Sequence, residues 1–209
     1  MLRLHVNLKH PQPRHVARAV EALRSGALTV FPTDTTYGLG CDIFARRSID
    51  RIYQLKGMDR KQPLSFLCSD LAEVARYAVV EDHNYRILRQ KTPGKFTFVL
   101  PASREVPKIV QSKQRTVGVR IPDSPLCLEM IRQLGHPIIS TTVAREIEGQ
   151  TSYTNDPEEV VRLFGRSIEL LLDGEVLYEK PSSVIDLTGE VPKVLREGGG
   201  DTSWVPRGE

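Results

Sequence analysis

The chain has 209 residues, 40% of them apolar and 26% charged, with a formal net charge of +3. That length fits one large globular domain that buries roughly 70% of the surface its unfolded chain exposes, and a second full domain would be cramped. Met1–Lys9 is too short and too interrupted by charge for a signal peptide, no apolar run approaches transmembrane length, and Cys41, Cys68 and Cys127 are odd in number with no Cys-x-x-Cys pair, which argues against a disulfide framework or a zinc site. The expectation is a cytoplasmic protein with reduced thiols, no membrane association and no bound metal.

The charge is unevenly placed. Bases outnumber acids from Arg46 to Lys61, and Glu105 is the one acid among the Lys and Arg residues of His83–Arg120, whereas Glu146–Glu179 is acidic. A basic middle segment of this kind attracts phosphate-bearing partners.

In chain order, Val16, Ala19, Val20 and Leu23 recur at helical spacing across 14–25 and stop at Gly26. Ala27–Phe31 reads as a buried strand, closed by Pro32. Thr33–Asp42 then reads as a polar loop at a strand's carboxyl end, with Gly38 and Gly40 allowing close approach of a ligand. Ile49, Ile52, Tyr53 and Leu55 predict a helix that leaves Lys56 at its exit beside Gly57, and Leu64–Cys68 predicts a strand. Asp70-Leu-Ala-Glu73 has the form of a capping box, and a further helix is expected over 84–90.

Phe96–Leu100 and Thr116–Ile121 are strand candidates, the second with Gly118 for close approach and Arg120 near its end. Ser124-Pro125 opens a helix with Leu128, Ile131 and Leu134 on its buried face and Gly135 as its stop. A short strand over 137–140 ends in Ser140-Thr141-Thr142. Residues 144–155 show no periodicity and are expected as a mobile surface loop, and Asp156-Pro157 opens another helix. Strands over 168–172, 183–187 and 193–196 complete roughly seven strands and six helices, and the tail from Gly198 is expected to fray.

Several familiar sites are excluded by spacing. No Gly-x-x-x-x-Gly-Lys-Ser/Thr loop occurs, Ile43 follows Gly38-Leu-Gly40 where a dinucleotide fingerprint needs a small residue, and the five His residues lack metal-ligand spacing. What remains is a set of polar residues at strand and helix ends: Thr33, Thr36, Lys56, Thr97, Arg120, Ser140, Thr141, Ser183 and Arg196. Convergence of these ends would join three cations to several hydroxyls, the donor set that a triphosphate or nucleic-acid phosphate requires. Each residue alone is equally compatible with a turn cap, a helix C-terminal charge or an ion pair.

Six segments in order resemble the YrdC/YciO family: Pro32-Thr-Asp-Thr-Thr-Tyr-Gly-Leu-Gly40, Ile52-Tyr-Gln-Leu-Lys-Gly57 with Pro63-Leu64, Thr92-Pro-Gly-Lys-Phe-Thr97, Thr116-Val-Gly-Val-Arg-Ile-Pro122, Pro181-Ser-Ser-Val-Ile-Asp186 and Arg196-Glu-Gly198. The resemblance implies one YrdC-like domain over residues 14–200, a twisted mixed parallel and antiparallel sheet flanked by helices, and a basic concave cleft. It also implies binding of adenine nucleotide, of RNA (double-stranded or tRNA), or of both. If the chain is an enzyme, the resemblance implies a nucleotidyltransferase of the L-threonylcarbamoyladenylate synthase type. Such an enzyme acts in tRNA modification on ATP with Mg²⁺, threonine and bicarbonate, without a permanently bound cofactor.

Carried over by position, Lys56 and Ser140 take catalytic places, and Thr33, Thr36, Thr97, Arg120, Thr141, Ser183 and Arg196 take substrate- or nucleotide-binding ones. Three positions depart from the synthases. Met58 stands where they have Arg, Thr142 where they have Asn, and Leu67 where they have His, with Arg60 as a replacement guanidinium. The pattern is closest to the YciO branch, and the departures weaken the expectation of synthase chemistry.

Overall fold

The computed structural model describes residues 1–59, 64–110, 114–147 and 150–206. Its strands are β1 (Leu2–His5), β2 (Thr29–Pro32), β3 (Tyr37–Asp42), β4 (Ser65–Leu67), β5 (Phe96–Pro101), β6 (Thr116–Arg120), β7 (Ile138–Thr142), β8 (Ala144–Ile147), β9 (Gln150–Tyr153), β10 (Leu170–Asp173), β11 (Ser183–Asp186) and β12 (Lys193–Arg196). The helices are α1 (Pro13–Arg24), α2 (Arg46–Lys56), α3 (Leu71–Tyr77), α4 (Asp82–Lys91), α5 (Pro125–Leu134) and α6 (Pro157–Phe164). Ten strands form one open mixed sheet in the order β1-β10-β2-β3-β7-β4-β6-β5-β11-β12, and β8 pairs with β9 alone. The expected single-domain α/β architecture is the one observed.

Helix boundaries follow the local chemistry. Gly57 and Gly135 close α2 and α5 with φ of 59° and 87°, a conformation in which a side chain is strained. At the start of α3, Asp70 accepts from the Glu73 N–H while Glu73 accepts from the Ser69 N–H. Ser124 caps α5 by accepting from the Cys127 N–H, with Pro125 as the first helical residue.

Period-two alternation sorts the sheet into two buried faces. Val30, Leu39, Phe66, Phe98, Val119, Ile139 and Leu171 point into one core with Ile49 and Ile52 of α2. Phe31, Leu67, Ile138, Leu170 and Leu172 point the other way, into a second core against α1 and α5. Those two helices cover only part of their face, and the uncovered part is where the cleft opens.

Three expectations are corrected. Thr33–Asp42 is not an open loop: Thr33–Thr36 is a tight turn between β2 and β3, and all six residues of β3 are buried. Gly38 and Gly40 lie within β3 because there is no space beside them: a Cβ at Gly40 would stand 2.7 Å from the Ile139 carbonyl oxygen and 3.0 Å from the Phe31 ring. Residues 144–155 contain the β8–β9 hairpin rather than structureless chain. Residues 199–206 pack against the domain rather than fraying, since Val205 is buried and Trp204 meets Phe96 edge-on at 6.2 Å between ring centroids.

Candidate functional site

Register builds the floor of the cleft. Ser65 lies opposite Ser140 on one side and Gly118 on the other, and Gly118 lies opposite Val99, so one row of small residues crosses β7, β4, β6 and β5. These residues continue the face that carries Ile138 and Leu67, beyond the cover of α1 and α5. A Cβ at Gly118 would stand 3.2 Å from the Ser65 hydroxyl, closer than ordinary contact, so glycine keeps the floor low there. The hollow above this floor encloses about 550 Å³ and is walled by Lys56, Met58, Thr97, Arg120, Thr142 and Arg196, with Tyr153 of β9 and Ser182 also lining it.

Each cation is held by the protein. Lys56, at the C-terminal end of α2, donates to the carbonyls of Thr142, at 3.1 Å, and Ala144, which ties the helix exit to the start of β8. Arg120 donates to Asp34 at 2.7 Å, both side chains being almost wholly buried. Burial raises the Asp34 carboxyl above its ordinary pKa, and the Arg120 charge opposes that rise. The Arg120 Nε–H is buried and has no hydrogen-bond partner among the described residues. Arg196 donates to the Ser182 carbonyl at 2.8 and 3.0 Å and to its hydroxyl at 3.2 Å. Its pKa is lowered, first by burial, while Tyr153 acts in the opposite direction.

Of the residues singled out from sequence, Lys56, Thr97, Arg120, Ser140, Thr141 and Arg196 come together around this hollow. Thr33 and Thr36 are not among its lining residues. The Thr33 hydroxyl donates to the Thr36 carbonyl at 2.7 Å and accepts from the Thr35 N–H, so it closes its own turn. What the turn contributes to the site is Asp34, through Arg120. Ser183 also turns away: its hydroxyl donates to the Gly200 carbonyl at 2.7 Å and accepts from the N–H groups of Gly198 and Gly200. Its neighbour Ser182 takes the cleft side and shares a 2.9 Å hydrogen bond with Thr97. Arg60 lies outside the described residues.

Tyr153, Ser182 and Asp34 were missed from sequence. Asp34 alone carried a signal, as the single carboxylate in a turn of threonines.

The architecture is an open mixed α/β sheet with hydroxyls and cations gathered around a hollow over its central strands. The chain belongs to the Sua5/YciO/YrdC family, whose model, described as telomere recombination, matches residues 21–198. It is 35% identical to the YciO protein of Escherichia coli over 198 residues, covering 94% of this chain and 95% of that one. The crystal structure of E. coli YciO superposes with a TM-score of 0.91 at 33% identity, covering 97% and 98% of the two chains. The chain is 32% identical over 179 residues to a threonylcarbamoyl-AMP synthase of Pyrococcus abyssi, covering 85% of this chain and 52% of that one. It resembles P. abyssi Sua5 complexed with L-threonine with a TM-score of 0.86 at 28% identity, covering 95% of this chain and 58% of that one.

Proposed function

We propose that the cleft binds an adenine nucleotide, presented as ATP with Mg²⁺, and that threonylcarbamoyl-AMP synthase chemistry on this scaffold is slow or absent. The observation that carries the reading is the convergence of Lys56, Arg120 and Arg196 with the hydroxyls of Thr97, Ser140 and Ser182 on one hollow of nucleotide size. The side-chain-free surface of Gly118 lets a ligand lie against the floor.

In a synthase, the threonine amine and bicarbonate would form a carbamate with loss of one water. A carbamate oxygen would attack the α-phosphorus of ATP, and the bond to pyrophosphate would break. Lys56, Arg120 and Arg196 would offset the charge that gathers on the phosphate oxygens. Mg²⁺ would accompany the polyphosphate and neutralise the leaving pyrophosphate. Met58, Leu67 and Thr142 all line the same wall, so the three departures from the synthase pattern fall where substrate contacts would be made.

Contact with RNA, double-stranded or tRNA, ranks second as a role for this face. A hollow of about 550 Å³ admits one nucleotide and not a duplex, so a duplex would touch its rim alone. Calorimetric titration with ATP and Mg²⁺ tests the first reading. Heat and a raised melting temperature are expected for the parent, with both reduced in Arg196→Ala. Absence of heat and of thermal protection at millimolar nucleotide would overturn it.

A further inference from the structure

A second hollow, of about 590 Å³, opens at the junction of α1 and α2, at the opposite end of α2 from Lys56. Arg24, Arg46, Arg47 and Arg51 line it, together with Asp42 and Phe44. Arg51 is paired with Glu169 at 2.8 Å and also donates to the Ser167 carbonyl, and Arg24 donates to the Gln133 carbonyl. Arg46 and Arg47 are exposed side chains in the first turn of α2. Asp42 is the one carboxylate lining the hollow, and it is already engaged. It accepts from the Phe44 N–H at 2.8 Å, and its other oxygen lies 3.4 Å from His136 Nε2.

Two features of this hollow work against the free protein. The first turn of α2 contains no acidic residue and its N-cap, Ala45, offers no side-chain acceptor, yet Arg46 and Arg47 stand where the helix dipole is already positive. Phe44 is 66% exposed, with its ring held edge-on to His136 at 4.9 Å rather than turned into either core. An arginine cluster needs anions, and a wetted, propped aromatic ring needs a flat apolar partner. Both needs are met at once by consecutive nucleotides whose phosphates lie along the arginines and one of whose bases stacks on Phe44.

We infer that this hollow is a binding site for single-stranded nucleic acid, separate from the cleft over the central strands. Arg51 and Arg24 are already engaged by Glu169 and by backbone carbonyls, so the adjacent exposed guanidiniums of Arg46 and Arg47 are the ones that meet phosphates, and two of them side by side favour a strand over a free nucleotide. A stacking ring favours unpaired bases over a duplex, whose bases already stack on one another. The basic run that begins at Arg46 thus serves two sites: its start lines this hollow, and Lys56 lines the other.

The test is fluorescence anisotropy with a labelled ten-nucleotide single strand, RNA in one arm and DNA in the other, on the full chain. The parent should bind with a steep salt dependence. The Arg46→Glu, Arg47→Glu double variant should reduce the magnitude of the log–log salt slope by about 0.7 for each phosphate that it no longer neutralises. That variant should also melt at a higher temperature than the parent without nucleic acid, because it places acids at the helix start; a parallel loss of folding would show itself in the same measurement. Phe44→Ala should weaken the strand by about fivefold to a hundredfold while leaving duplex of the same sequence unchanged. Equal affinity in parent and double variant would overturn the inference. So would loss confined to Lys56→Glu, full competition by duplex, or saturation of the same site by a free mononucleotide at the strand's affinity. None of these outcomes depends on whether ATP binds in the cleft.

Discussion

Met58, Leu67 and Thr142 stand in the wall of the cleft that Lys56, Arg120 and Arg196 also line. Met58 has no donor for a phosphate oxygen, Thr142 lacks an amide, and Leu67, 3% exposed and packed in the second core, can neither accept nor donate. Each missing charge-assisted hydrogen bond is worth about 1.5 to 3 kcal/mol, which is roughly tenfold to over a hundredfold in rate. Pyrophosphate release with ATP, threonine and bicarbonate should therefore be slow or undetectable in the parent and rise in the Met58→Arg, Thr142→Asn double variant. A parent that turns over as fast as that variant would show that the departures cost nothing. At this scale the sequence was informative about residue type and poor on direction. Ser182 and Ser183 are adjacent and chemically alike, and only the strand's parity, set by register with β5, decides which hydroxyl enters the cleft. Thr33 does not line the hollow, and its hydroxyl is spent within its own turn on the Thr36 carbonyl.

Elements with strong internal signals, such as α5 between Ser124 and Gly135 or β5 with its alternating Phe rings, were legible to within a residue or two. Those without such signals were not. In β3, Gly38 and Gly40 lower strand propensity in isolation, and part of their reason for being there, the β7 backbone and the Ser140 hydroxyl, is distant in the chain. The segment after Gly198 shows the same dependence on distant partners. Ser183 pins Gly198 and Gly200, Val205 is 4% exposed, and Trp204 rests against Phe96 with Lys91 5.1 Å from its ring. Removing residues 201–209 would expose Phe96 and forfeit the burial of Val205 and much of Trp204. The expected cost is about 2 to 5 kcal/mol, read as a lower urea midpoint with little change in slope. An unchanged midpoint would mean that the segment lies on the surface without contributing to it.

At the scale of the whole molecule, strand order was beyond reach of the sequence, because consecutive strands such as β3 and β4 are separated in the sheet by β7, which arrives about seventy residues later in the chain. The first core runs under the sheet from β10 to β11, while the second covers β10, β2, β7 and β4 on the other face, so the strands from β10 to β4 are held by apolar surface on both sides. The cleft floor crosses β7, β4, β6 and β5, the middle of the same sheet. A ligand held there binds only the folded state and stabilises all of it, by about 2.7 kcal/mol when its concentration is a hundred times its Kd. Unfolding should therefore follow one transition, with backbone circular dichroism coincident with the fluorescence of Trp204, the chain's single tryptophan, which lies on the opposite core from α1 and α5. Saturating ATP with Mg²⁺ should move both signals together and by the same amount. Two separated transitions, or a nucleotide shift seen in one signal alone, would show that the two cores unfold independently and that the cleft is coupled to only one of them.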